Sequence, residues 1–400
     1  MKRKLTYRPF FLVAILSQLF ILSATAQDKQ NMFNPVTTSV TSLSIAPDAR
    51  GGGMGDVGAA TEADVNSQYW NPAKYPFCVG RAGVAISYTP WLRKLVNDIN
   101  LANVAGFYRI GDYSAISASL RYFSLGEVSL YEDYSSGATE GMTINPYEFA
   151  VDAAYSRMLS DYFSMGVGMR FIFSDITYNY EDESSPGKAF AADIAMYYNN
   201  YVMMGNRECG IGVGLNINNI GSKITYGGDD NSEFIPTNLR LGLNYTIPFD
   251  DYNRLSIAAD VNKLLVPTYP KKDTDESDND YTDRVQREYY DVSPIAGIFK
   301  SFHDAPNGFK EELQEIQWSI GAEYSYNDRF FLRLGYHDEH ENKGNRKYIT
   351  AGAAFKMSVF SLDASYVFST AQSNPLDQTM RFTLGFDLDG MRDLFGKKRR

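Results

Sequence analysis

From about residue 79 onward the chain alternates apolar with polar or small residues in segments of roughly ten, and turn residues separate them. A period of two sends successive side chains to opposite faces of a strand. Phe382, Leu384, Phe386 and Leu388 share one face, and Arg381, Thr383, Gly385 and Asp387 share the other. Phe360, Leu362, Ala364, Tyr366 and Phe368 oppose Ser361, Asp363 and Ser365. Ile316, Trp318, Ile320, Ala322 and Tyr324 oppose Gln317, Ser319, Gly321 and Glu323, and Leu239, Leu241, Leu243, Tyr245 and Ile247 oppose Arg240, Gly242 and Asn244. A soluble β-sandwich also alternates, with its apolar face hidden. It would not place large aromatics opposite arginine and aspartate on so many strands. The pattern predicts apolar faces toward lipid and charged faces toward a lumen.

Such segments fall at 79–88, 99–109, 113–124, 147–159, 162–176, 188–199, 209–218, 237–247, 253–262, 316–326, 329–337, 347–357, 360–369 and 379–388, fourteen in all. Connections after even-numbered segments are short, the stretch from Asn200 to Glu208 being the longer exception, and those after odd-numbered ones are long. Outer-membrane barrels pair short periplasmic turns with long external loops. A wrong count would scramble that parity. The expected fold is all-β and membrane-embedded: a 14-stranded antiparallel transmembrane β-barrel, with both ends in the periplasm.

The start of the chain fits export. Lys2, Arg3, Lys4 and Arg8 precede an apolar run from Phe10 to Leu22, then Ala24, Thr25 and Ala26. That order predicts a signal peptide, residues 1–26; the run is short for a spanning helix. Its removal, with four cations and no acid, leaves a net charge near -14. An exported acidic chain is not built to bind nucleic acid. A mean hydropathy of -0.31 is too polar for a helical membrane protein but not for a barrel, where alternate residues face lipid. The 29 Tyr and 25 Phe suit interfacial girdles. Cys78 and Cys209 fall on nearly opposite strands at the same end of the barrel. Its diameter of roughly 25–30 Å exceeds disulfide reach, so both thiols are expected unpaired.

Residues 27–78 have no place in the barrel wall of residues 79–390, and residues 391–400 form a basic periplasmic tail. The earlier segment is glycine-rich with short apolar pieces, which predicts a compact plug inside the pore. Its candidate residues are Asp48, Arg50, Met54, Asp56, Tyr69, Trp70 and Asn71, with Asp48 and Arg50 expected to pair with lumen charges. Gly53, Gly55 and Gly58 spell G-x-G-x-x-G, but no parallel βαβ unit surrounds them, so turns explain them better than a dinucleotide. Arg81, Arg121, Asp152, Arg170, Asp193, Arg240, Arg254, Asp260, Glu323, Arg333, Lys356, Asp363, Arg381 and Asp387 fall on the lumen register. Their mixed signs predict salt-bridged filling around the plug ahead of a polar conduit.

No catalytic, metal or cofactor set emerges. His337 and His340 sit three apart, on opposite faces of a strand, and no G-x-S-x-G occurs. The acidic run Asp273 to Asp283 lacks the central Gly and terminal Glu of a calcium loop and reads as solvated surface. Weak divalent cations could link it to neighbouring lipopolysaccharide. The long loops carry the partner-binding candidates. Trp91, Leu92 and Leu95 make the first loop apolar, either as a turn packed on the rim or as an anchor. Tyr131 and Tyr134 lie in the loop after the third segment, and Phe299, Phe302 and Phe309 in the longest one.

Ser44 to Arg50 (SIAPDAR), Met54-Gly55-Asp56, Ala63-Asp64, Tyr69 to Lys74 (YWNPAK) and Tyr88 to Leu92 (YTPWL) resemble the PorV family. This is the outer-membrane shuttle family of the Bacteroidota type IX secretion system, and the resemblance runs over the whole mature chain. It implies a barrel like the fatty-acid transporters, fourteen strands with an N-terminal plug, and no enzymatic activity. It implies partners as well: the C-terminal signal domain of secreted cargo, a translocon barrel, and a sortase-bearing attachment complex, all met in outer-membrane lipid and lipopolysaccharide. The tail departs from the usual barrel ending, because Phe395 is followed by Gly396 to Arg400. Two other readings compete: a transporter of hydrophobic small molecules, which needs an apolar internal pocket, and an envelope enzyme acting on lipopolysaccharide.

Overall fold

The computed structural model describes residues 33–390, except 131–141, 177–184, 228–230, 274 and 371–375. The expected leader, the basic tail, Tyr131 and Tyr134 lie outside the described residues. Fourteen strands close into one antiparallel barrel. They are β1 Ala82–Pro90, β2 Asn100–Ile110, β3 Ser114–Ser124, β4 Tyr147–Ser160, β5 Phe163–Asp175, β6 Gly187–Met204 and β7 Arg207–Gly221. β8 Asn238–Pro248, β9 Asn253–Leu264, β10 Gln317–Tyr326, β11 Phe330–Asp338, β12 Tyr348–Lys356, β13 Phe360–Ser369 and β14 Met380–Asp387 complete it. Each strand pairs with its neighbours in sequence, and β1 pairs with β14, from Gly83 opposite Asp387 to Tyr88 opposite Phe382. Closure leaves no unpaired edge, a requirement for strands in hydrocarbon. Among the described residues no helix is long and apolar enough to cross a membrane.

The faces are inverted relative to a soluble protein. Leu241, Leu243, Ile320, Leu332, Leu334, Leu362, Phe382 and Leu384 are exposed, whereas Arg240, Ser319, Glu323, Arg333, Asp363, Arg381 and Thr383 are buried. Only a lipid-facing exterior makes that arrangement stable. Among the predicted lumen charges, Arg81, Arg254, Lys356 and Asp387 are exposed or half-buried at the short-turn end. Arg81 lies one residue ahead of β1, which starts at Ala82 and not at 79.

The long turn expected between the sixth and seventh strands does not exist. β6 continues through Tyr201 to Met204, and the chain reverses at Gly205 and Asn206, with Gly205 at φ 66°. Asn199 and Asn200 look like turn residues, and Val202-Met203-Met204 breaks the alternation, which hid the extension. The result completes the parity: every connection at this end spans two to four residues. The opposite end carries the long loops and is the external one. A bulge between Ala192 and Ile194 lets Asp193 accept the backbone N–H of Asn219 at 2.8 Å.

Candidate functional site

Residues 41–77 pack on the inward face of the barrel through short helical turns. A 3-10 turn, Thr41–Ser44, is followed by the first α-helical one, α1, Ala49–Gly52. Asp48 caps it, one carboxylate oxygen accepting from the N–H of Gly51 at 2.9 Å and the other from the Trp70 indole at 2.6 Å. Asp48 therefore does not pair with a lumen charge as expected; both oxygens are consumed within the segment. The second α-helical turn, α2, is Ser67–Trp70. Its Trp70 ring lies flat over Gly51 and Gly58, where a Cβ would come within 2.2 and 2.1 Å of ring atoms. Asn71 caps the following 3-10 turn, Pro72–Phe77, and its amide donates to the carbonyls of Ala59 and Met196 at 3.0 and 2.9 Å. Lys74 is fully buried and donates to the Gly58 carbonyl at 2.8 Å.

The segment is wired to the wall. Arg50 pairs with Glu323 and Asp64, each at 2.9 Å, and Glu323 also binds Arg333, which reaches Asp363 at 2.7 Å. Asp260 accepts from the N–H groups of Gly58 and Ala59 at 2.8 and 2.9 Å. The N–H groups of Ala49 and Gly55 donate to Thr383 and Thr350. Asp56 takes the Tyr348 hydroxyl at 2.5 Å and lies 3.4 Å from Arg381. Met54 is buried against Val57 and Ala258. Gly53, Gly55 and Gly58 serve close approach: Gly55 has φ 75°, and a Cβ there would meet the Tyr336 backbone at 2.7 Å. Tyr69 lies between two guanidiniums, Arg121 at 4.8 Å and Arg240 at 5.0 Å. A second buried cluster joins Arg170 to Asp152 and Asp193 at 3.1 and 2.9 Å.

The external end is organised by the 265–316 connection. It holds α3 Asp278–Val285, α4 Pro294–Lys300 and α5 Phe309–Gln314. Ser277 and Ser293 cap the first two. The acidic run thus feeds a helix start, where Asp278 and Asp280 meet the positive end of the dipole. Sequence reasoning missed the buried network beneath. Lys263 pairs with Glu312 and Glu315 at 3.1 and 2.5 Å, and Lys343 with Glu311 and Glu315 at 2.7 and 3.0 Å. Glu311 also accepts from the Asn34 amide at 3.0 Å, which ties the chain's early residues to this loop. The spacing of Glu311, Glu312 and Glu315 on one helix face was the available signal.

Above that network Phe299 and Phe309 are exposed to 69% and 75%, with Ile295, Phe302 and Leu313 beside them in sequence and also exposed. Ile295 and Leu313 were missed because only the aromatic residues of this loop were singled out. In the first external loop Leu95 is exposed, but Trp91 and Leu92 are half-buried. Trp91 packs against the cluster of Ile45, Leu101 and Phe123. His337 is buried with its Nδ1 on the Ser319 hydroxyl, and His340 caps a 3-10 turn. Cys78 and Cys209 are both free and buried.

The closed fourteen-strand wall and its inverted faces define an outer-membrane β-barrel, a multi-pass membrane protein. The fold is shared with solved transport barrels. The TodX deltaS2S3 mutant monoaromatic hydrocarbon channel is 10% identical, with a TM-score of 0.50 over 85% of this chain and 98% of that one. The Pseudomonas putida toluene transporter TodX gives 9% identity and a TM-score of 0.48 over 90% and 99%. A Pseudomonas aeruginosa FadL homologue gives 11% and 0.41 over 88% and 99%. No curated protein matches the chain significantly. The family model for type IX secretion system protein PorV matches residues 26–271, and the chain belongs to that family. The match is narrower than the whole-chain resemblance and stops ahead of α3.

Proposed function

We propose that this barrel is a binding and shuttling protein for secreted cargo. Its external loops take the C-terminal signal domain of the cargo from the translocon barrel and deliver it to the sortase-bearing attachment complex. It performs no chemistry of its own. Residues 27–78 act as the plug and residues 79–390 as the barrel that carries the loops. The observation that carries this reading is the contrast between the two ends of the molecule's interior: a lumen occupied by hydrogen-bonded chain, beneath an external loop that folds into helices and leaves Phe299 and Phe309 uncovered. Large aromatic side chains are the type that anchors interfaces. Leu95 and Phe302 extend the candidate surface, with Tyr131 and Tyr134 as further expected contacts. Trp91 and Leu92, packed at the rim, would position the first loop. The alternative reading, a transporter of hydrophobic molecules, gains no specific support, because the cavity in the external half of the barrel has five side-chain amides, two arginines and an aspartate in its lining rather than a continuous apolar wall.

Co-purification from native membranes tests the proposal. Phe299→Ala with Phe309→Ala should leave heat-modifiable assembly unchanged and reduce recovery of cargo or translocon by about 30-fold if the pair contributes about 2 kcal/mol. Neutralising Asp273, Asp275 and Asp278 should have a smaller effect, since solvated charge mainly tunes encounter rate. Wild-type recovery of both partners by the phenylalanine variant, and by Trp91→Ala with Leu92→Ala, would remove the loops from the binding surface.

A further inference from the structure

The external half of the lumen contains a cavity of about 70 Å³, between Leu43, Ser44 and Ala46, the rings of Tyr69 and Trp70, and the external ends of β7 to β12. Asn218, Asn238, Asn262 and Gln317 line it with amides. Its one carboxylate, Asp56, is already held by Tyr348 and Arg381. Arg346 is engaged by both oxygens of Glu339 at 2.7 Å. Arg240 is different. It is buried, its Nε donates to the Asn262 amide oxygen at 2.8 Å, and its flat face stacks on Trp70 at 4.7 Å. Its Nη1 reaches only the Tyr69 carbonyl, at 3.5 Å. Among the described residues no carboxylate lies within 4.0 Å of it: Asp260 acts on it only from farther off, one of its oxygens being taken by the N–H groups of Gly58 and Ala59, whereas Arg50, Arg170, Arg333 and Arg381 each have an ion pair at contact distance. Arg121, on the far side of Tyr69, also has none and donates to the carbonyls of Ser42 and Ile45.

Buried guanidiniums are normally matched by an anion, since an uncompensated one costs several kcal/mol. Here two flank a single ring, and the one on the cavity has donor capacity to spare. We propose that this cavity binds a carboxylate, with Arg240 as anchor and the surrounding amides completing its hydrogen bonds. A guanidinium stacked on an aromatic face leaves its edge free, and that edge matches the two oxygens of a carboxylate. A dianionic phosphate would call for a second uncompensated cation on the lining, and Arg346 is neutralised by Glu339. Apolar ligands are disfavoured by the amides, which they would leave unpaired. The carboxylate can belong to a small diffusible acid or to a peptide.

Calorimetry on the purified, detergent-solubilised barrel tests this, with acetate and glutarate against acetamide, and an N-acetylated tetrapeptide as free acid against its C-terminal amide. Saturable binding of at least one acid, at least tenfold tighter than its amide, is expected. Binding by the small acids identifies a diffusible ligand; binding by the peptide acid alone identifies a peptide. Arg240→Gln should weaken binding at least tenfold. Asn238→Asp keeps the arginine and supplies a carboxylate of its own, so it should also block binding, and it stands in if Arg240→Gln fails to assemble. Absence of saturable binding by every acid, equal binding of the amides, or undiminished binding by either assembled variant overturns the proposal.

Discussion

Gly335→Ala isolates the contact between the internal segment and the wall. The backbone of residues 53–60 runs directly against inward-facing glycines of β7, β8 and β10 to β12. A Cβ at Gly335 would lie 2.0 Å from the carbonyl carbon of Met54 and 2.1 Å from the nitrogen of Gly55. That is roughly 1.5 Å inside the separation at which carbon atoms rest. Neither side yields easily. β11 is fixed by pairing with β10 and β12, and the segment is held by the Gly55 bond to Thr350 and the Asp56 bond to Tyr348. Overpacking costs about 1–3 kcal/mol, and loss of a hydrogen bond about 1 more. Taking about 3 kcal/mol, the segment should detach locally roughly a hundredfold more often. Hydrogen exchange followed by mass spectrometry reads this directly: residues 53–59 should lose about that much protection while the strands keep theirs. Gly168→Ala is the control on the same inward face, because its nearest neighbour would be the Asp193 Cβ at 3.3 Å. Unchanged protection at 53–59 in an assembled Gly335→Ala barrel would refute the packing argument.

Other perturbations read different parts of the molecule. Arg50→Ala takes the ion-pair partner from one oxygen of Asp64, whose other oxygen keeps Asn66 and Ser67, and leaves Glu323 with Arg333 alone, so denaturant stability should fall by about 3 kcal/mol, with Arg50→Lys losing less; an unaffected urea midpoint would contradict it. Burial, reinforced by Glu312 and Glu315, pushes the Asp304 carboxyl up to about 6, against 3.8 for an unperturbed group. Its neutral form favours the folded loop, so that contribution is present at low pH and is lost as pH rises from about 4 through 6. Glu311 has the opposite sign: burial opposes its charge, but Lys343 and Asn34 outweigh this and hold it down to about 2, so its contribution is lost as pH falls below about 4.5. Protease protection of residues 265–316 should therefore be greatest near pH 4, and Asp304→Asn should remove the decline from there toward pH 6. Conductance in planar bilayers should rise when residues 44–74 are deleted, provided the barrel assembles; a closed deletion variant would show that the segment is not the plug.

The wall was legible in the sequence because a membrane barrel imposes one rule on every strand. Leu384 and Thr383 must face different solvents, and the alternation follows whatever the identity of the residues. The count, the parity of the connections and the register of Arg240, Asp260, Glu323, Arg333 and Arg381 all derive from that rule. It failed where a strand leaves the bilayer: beyond Asn200 no lipid disciplines β6, its alternation lapses, and the turn at Gly205 was displaced. The interior was only half legible, for a different reason. Charge on a lumen face announces that partners exist but not which ones. Arg50 finds Glu323 from 273 residues away, while Asp48 turns back to Gly51 and Trp70. Local spacing holds the capping signal, an Asp ahead of Ala49-Arg50-Gly51-Gly52, and that signal outweighs the general expectation that a buried acid seeks a cation. The external loop was least legible. Its helices are too short to show a period, and α5 is held by the pairing of Lys263 and Lys343 with three glutamates across 80 residues of chain. The same reasoning locates where binding can evolve. Glycine contacts and paired charges fix the wall and the segment inside it. Among the described residues, the surface of α4 and α5 carries uncovered apolar side chains, and the edge of Arg240 makes no ion pair at contact distance.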